Sequence, residues 1–231
     1  MFIGHFAPAF VAAAHPKAPN LGVLFVGAQL VDFAFFGFVL AGIENMRIVP
    51  GITVMNPLDL YDMPYTHSLA GSLIWGAAFA LLIYAITKNA VGAGLGGAVV
   101  VSHWLLDILF HRPDLKLAGS PPMLGFGLWY YPVMAMPLVL LVIGGAIAFY
   151  LLRTSKRPGR GNQPLILLVT LLLAFQAIDW FGPPPDSFDP SIAVLALLSY
   201  TLASIAAWWL GRSRETLATM AGDTQPDAAT L

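Results

Sequence analysis

VGAGLGGAVVVSHWLLDILFH, residues 91 to 111, decides how this chain is read. Its first half holds only Gly, Ala, Leu and Val, and as a helix the whole stretch is long enough to cross a hydrocarbon core of about 30 Å. Its second half nevertheless carries His103, Asp107 and His111 at four-residue spacing, which puts them on one helix face about one turn apart. A carboxylate in mid-membrane costs roughly 2.5–3.5 kcal/mol on insertion scales, so such a stripe faces the bundle interior and requires partners. The stretch therefore predicts a membrane helix with a polar site on its inner face.

The rest of the chain agrees with that class. Of its 231 residues, 58% are hydrophobic and only 10% charged, and small residues are interspersed through the apolar runs, as expected where helices pack through Gly, Ala and Ser. The net charge of -1, with no long basic block, excludes a nucleic-acid binder, and the partner it implies is the lipid bilayer itself. With no cysteine, disulfides, thiolate metal sites and cysteine nucleophiles are excluded, and any metal must be held by His and carboxylate.

Hydropathy and flanking charge predict an all-α polytopic bundle with spans at 20 to 43, 66 to 87, 91 to 111, 128 to 152, 165 to 181 and 191 to 210. They form a single transmembrane domain over 1 to 211, with the site part in 1 to 132, followed by a polar tail over 212 to 231 expected to be cytoplasmic and disordered. Residues 2 to 14 are apolar but too short to span, and they read as a half-spanning helix. A signal peptide cut after Ala14 is the rival reading, but no Lys or Arg precedes the apolar stretch. If the spans alternate, Lys17, Lys88, Arg153, Lys156, Arg157, Arg160, Arg212 and Arg214 share one side, which the positive-inside rule makes cytoplasmic. The other side receives the Pro- and Gly-rich connections 44 to 65, 112 to 127 and 182 to 190, where function tends to collect.

Several spans contribute to a common site. Asp32 lies in the middle of the first, His67 opens the second, His103 and Asp107 lie on the third, and His5 lies in the half-spanning segment at a depth that matches Asp32. Each alone has a structural reading: a helix-internal hydrogen bond for His103 with Asp107, an interfacial residue behind a Thr66 cap for His67. Together, His5, Asp32, His67, His103 and Asp107 read as ligands of a divalent ion, zinc by the imidazoles or manganese by the carboxylates. Asp32 and Asp107 are the candidate catalytic carboxylates, since a carboxylate beside a metal can take a proton from a bound water. His111 is a further candidate at the outer end of the helix, and Arg112 is either an interfacial anchor or an anion-holding group. Asp59 and Asp62 read as solvated loop charges, with replacement metal ligands from the 44 to 65 loop as the alternative, and Trp129, Tyr130 and Tyr131 as an interfacial aromatic belt, with the lining of the site's entrance as the alternative. Gln29, near Asp32, and Gln176, in the fifth span, are the few polar residues elsewhere in the membrane.

In order and spacing, Gly4-His5, Asp32, Thr66-His67-Ser68, Ser102-His103 with Asp107, and a Pro/Gly loop from Ser120-Pro121 through Gly125 and Gly127 to Trp129 and Pro132 resemble the membrane-bound metal-dependent hydrolases of the YdjM-like type. The resemblance covers roughly residues 4 to 132. It departs from the family where an Asp-x-Asp is usual, since Asp32 is followed by Phe33-Ala34-Phe35, and where His-Arg is usual ahead of the Thr-His-Ser, since Tyr61 to Tyr65 stand there. It implies a hydrolase of the bacterial cytoplasmic (inner) membrane acting on an ester or phosphoester, and the site's lipid-level position favours an amphiphilic or lipid-linked substrate. A metal-ion or proton transporter using the same cluster is the alternative, although the cytoplasmic half carries few polar groups to continue a pathway. Haem binding and a purely structural polar cluster complete the list.

Overall fold

Ile3–Phe6 makes a single 3-10 turn that leads into α1 (Ala7–Ala13), and this short segment is packed inside the molecule. Ile3, Phe6, Ala9 and Phe10 are buried, with Phe6 stacked on Phe25 at 4.2 Å between ring centroids and Phe10 edge-on to the same ring. The computed structural model describes residues 2 to 218 and has the predicted all-α architecture. After α1 come α2 (Leu21–Ala28), α3 (Leu30–Leu40), α4 (Leu69–Thr87), α5 (Ala90–Phe110), α6 (Pro132–Arg153), α7 (Gln163–Phe181) and α8 (Pro190–Ser213). Among the described residues, α4 to α8 are each long and apolar enough to cross a membrane, which marks the chain as an integral membrane protein.

The first predicted span is not continuous. The helix breaks at Gln29, with α2 and α3 meeting at 52°. Non-helical backbone at membrane depth is tolerated where it is buried in protein, and Gln29 is fully buried, its side-chain Nε2 donating to the Phe2 carbonyl at 3.2 Å. The break also places the Ala28 carbonyl, the last of α2, where it accepts a hydrogen bond from His103 Nδ1 at 2.8 Å. Gln176 performs the matching task from α7: its Oε1 accepts from the Ile3 amide at 3.1 Å. The two membrane glutamines thus hold the turn that carries His5.

The second span begins at Leu69, three residues later than expected. Ser68 is the N-cap, accepting from the Gly71 amide at 3.0 Å, so Thr66 and His67 lie ahead of the helix. The α4–α5 connection is as tight as its sequence implies: Lys88 adopts the left-handed conformation and Asn89 caps α5 by accepting from Gly92. The two helices pack closely at Gly76 and Gly97, where a Cβ on either glycine would stand 2.9 to 3.0 Å from the carbonyl oxygen of the other. Gly97→Leu is accordingly expected to destabilise the bundle by about 1–3 kcal/mol or more, read as a lower unfolding midpoint in detergent. An unchanged midpoint would contradict this packing.

Each end of the bundle carries short two-stranded sheets. At the end where α5 stops, β1 (Asn45–Ile48) pairs antiparallel with β2 (Leu58–Asp62), and β3 (Leu115–Lys116) with β4 (Met123–Leu124). At the opposite end β5 (Thr154–Lys156) pairs with β6 (Arg214–Thr216). Of the tail expected over 212 to 231, Arg212 and Ser213 belong to α8, Arg214 donates to Thr154, and 219 to 231 lie outside the described residues.

Candidate metal centre

Four elements converge beneath the β1–β2 hairpin: the N-terminal turn with His5, α3 with Asp32, the segment before α4 with His67, and α5 with His103, Asp107 and, at its C-cap, His111. The four imidazoles and Asp107 are almost fully buried, at most 3% exposed, and Asp32 retains 17% exposure. All five predicted ligands are brought together. His5 Nε2 lies 3.0 Å from Asp107 Oδ1; His103 Nε2 lies 3.1 Å from Asp107 Oδ2 and 3.5 Å from Asp32 Oδ1; His67 Nε2 lies 3.2 Å from Asp32 Oδ1. The i,i+4 spacing also brings in His111, whose Nε2 is 3.5 Å from Asp107 Oδ1. Its amide still bonds the Asp107 carbonyl at 2.8 Å, so the last turn of α5 carries it onto the same face.

The outer nitrogens of three of these rings fix their orientation. His103 Nδ1 faces a backbone carbonyl, which only accepts, so that nitrogen carries the proton and a neutral ring leaves Nε2 bare. Thr66 Oγ1 donates to Glu44 Oε2 at 2.6 Å and therefore accepts from His67 Nδ1 at 2.9 Å, with the same result at His67 Nε2. His111 Nδ1 donates to Asp114 Oδ1 at 2.9 Å. Three ring nitrogens thus converge on two carboxylates, an arrangement that a metal ion at the centre, or protons on the rings, can hold together. His103 Nε2 makes no hydrogen bond despite its short distances to both carboxylates. His67 Nε2, by contrast, stands at hydrogen-bond distance from Asp32 Oδ1, 3.2 Å. Two overlapping sets, His5 with His103 and Asp107, and Asp32 with His67 and His103, each lie within 4.8 Å and can hold a metal ion.

Supporting groups complete the site, and most were not visible in sequence. Glu44 is fully buried and accepts from the Tyr65 and Thr66 amides at 2.7 and 3.0 Å as well as from the Thr66 hydroxyl. Asp114, three residues past His111, orients that ring, the carboxylate–imidazole pairing typical of metal-binding histidines. Asp59, expected to be a solvated loop charge, is 3% exposed and binds both Arg47, at 2.6 Å, and Arg112. Asp62 accepts from Asn45 across the hairpin. Arg112 is neither a free interfacial anchor nor an open anion holder: Asp59 and Asp114 neutralise it, which stiffens the hairpin over the site.

Of the three aromatics, Trp129 follows the alternative reading and lines the cavity at the site instead of joining an interfacial belt. It is buried and lies against the His111 ring at 4.2 Å, while Tyr130 and Tyr131 stay exposed. The loop before it passes over the end of α5, with Phe126 and Gly127 amides bonding the Ile108 and His111 carbonyls at 2.7 and 2.8 Å. A Cβ on Gly125 would collide with the Arg112 and His111 backbone, so glycine is required there. A cavity of about 120 Å³ reaches the cluster between Phe35, Phe36, Trp129, Trp180 and Tyr200, with Asp179 on its wall and Tyr200 beside Asp32.

If Asp114 orients a ligand, Asp114→Asn is expected to weaken metal binding by about 10–100-fold with the fold intact, since outer-shell partners have effects of that size. Chelator competition measures this directly, and wild-type affinity in the variant would remove Asp114 from the site. No family model matches this chain, and neither the curated proteins nor the solved structures give a match, so the chemistry rests on the cluster's own geometry.

Proposed function

We propose that the protein is a membrane-embedded metal-dependent hydrolase that cleaves an ester or phosphoester presented at lipid level. The observation that carries the reading is the convergence of the Nε2 atoms of His67, His103 and His111 on Asp32 and Asp107 beside a small cavity. His67, His103, Asp32 and Asp107, with His5 against Asp107, would hold a divalent ion, which when bound would supply Lewis acidity and lower the pKa of a water towards neutrality. Imidazole favours zinc, and the carboxylates suit manganese as well. Asp32 is the more exposed of the two carboxylates and lines the cavity, which makes it the group placed to accept a proton from a water entering there. Asp107, deeper and touched by four imidazoles, holds the ligands in place.

The cavity is smaller than the roughly 300–1,000 Å³ that encloses a drug-sized ligand, so it admits the reacting end of a substrate while the rest stays outside. Its aromatic walls suit an amphiphilic or lipid-linked molecule. The basic residues gather at the opposite end, on Lys17, Lys88 and the β5–β6 region, tied there by the Asn89 side chain bonding the Lys17 carbonyl. In a bacterial cytoplasmic membrane this orientation turns the site to the outer face. Purified protein loaded with zinc or manganese is expected to release product from a panel of lipid phosphoesters and esters, and His103→Ala to lose that release. Transport of the ion across liposomes without any hydrolysis would instead favour a carrier built on the same cluster.

A further inference from the structure

We infer that the cluster is a two-ion centre, with Asp107 bridging and His111 completing the second position. This rests on the metal-centre reading above and adds to it an ion count and a narrower reaction class. The two donor sets share His103, yet one imidazole lone pair binds one ion. Asp107 divides its oxygens between separate pairs of rings. Its Oδ2 faces His103 at 3.1 Å and His67 at 3.9 Å, the two rings that also face Asp32 Oδ1. Its Oδ1 faces His5 at 3.0 Å and His111 at 3.5 Å. The first ion thus takes His67, His103, Asp32 and one oxygen of Asp107. The second takes His5, His111 and the other oxygen.

A single ion leaves two features without a purpose. Asp114, 6% exposed, spends a buried carboxylate on fixing the tautomer of His111, and Arg112 and Asp59 in turn hold Asp114 in place. Such an outer shell is what a ligating histidine requires. Paired ions stabilise both the attacking and the leaving oxygen of an in-line displacement, so the two-ion centre selects phosphoesters over carboxylic esters as the substrate class.

The test is titration of chelator-stripped, folded protein with Mn(II), reading bound equivalents by equilibrium dialysis and the spin state by electron paramagnetic resonance. Wild type is expected to bind two equivalents, the second converting the isolated Mn(II) signal to a spin-coupled one. His111→Ala is expected to bind one equivalent with an uncoupled signal, and Asp114→Asn to bind two with the second weakened about 10–100-fold. One equivalent in wild type, or two that remain uncoupled, overturns the two-ion centre and leaves the single-ion reading standing. No binding at all overturns both. The wild-type titration decides the matter even if a variant does not fold.

Discussion

Asp107→Ala is expected to leave the protein without its metal and without hydrolytic activity, the largest functional loss of any single substitution in the site. Among the described residues, Asp107 is the only one whose carboxylate lies within 4 Å of His5, His67, His103 and His111 together, so its removal leaves the Nε2 atoms of His5 and His111 without that carboxylate and those of His67 and His103 with Asp32 alone. Asp107→Asn separates chemistry from shape, because the amide fills the same space and cannot supply two anionic oxygens. Metal content and turnover should fall in both variants, while Asp107→Asn keeps the helical circular dichroism of wild type. Retained metal with Asp107→Asn would move the centre away from Asp107.

Glu44→Ala is expected to have the largest effect on stability. The residue lies in a loop outside the predicted spans, yet its fully buried carboxylate satisfies two backbone amides and the Thr66 hydroxyl. Leaving the two buried Thr66 donors without an acceptor costs about 1–3 kcal/mol each, with a smaller loss at the part-buried Tyr65 amide, so a total of about 3 kcal/mol is expected. Because Thr66 orients His67, metal affinity should fall as well. Glu44→Gln, which keeps one accepting oxygen, should lie between the two. Thermal unfolding in detergent, with and without metal, checks both effects, and a Glu44→Ala protein as stable as wild type would contradict the network.

The helix-borne part of this site was legible because a helix converts sequence spacing into geometry. His103, Asp107 and His111 recur every four residues and meet on one face of α5, and the short link at Lys88-Asn89 presses α4 against it. The break at Gln29 was not legible, since LFVGAQLVDFAFFGF is apolar apart from Gln29 and Asp32 and glutamine is a good helix former. The cause is tertiary: Phe2 takes the Gln29 side chain and His103 takes the Ala28 carbonyl. Glu44, Asp59 and Asp114 were hidden for a related reason. They lie in loops with no periodicity, and an acidic residue in a Pro/Gly-rich connection reads as solvated until a fold buries it. Only the three-residue step from His111 to Asp114 left a local trace.

The most direct test of the central claim is elemental analysis of detergent-purified protein, after loading with zinc or manganese and removal of free ion, beside a His103→Ala, Asp107→Ala double variant of verified fold. The account predicts at least one tightly held divalent ion per chain in wild type and loss of it in the double variant. A wild-type protein that retains no ion, or a double variant that retains as much as wild type, would contradict a metal centre built from His5, Asp32, His67, His103, Asp107 and His111.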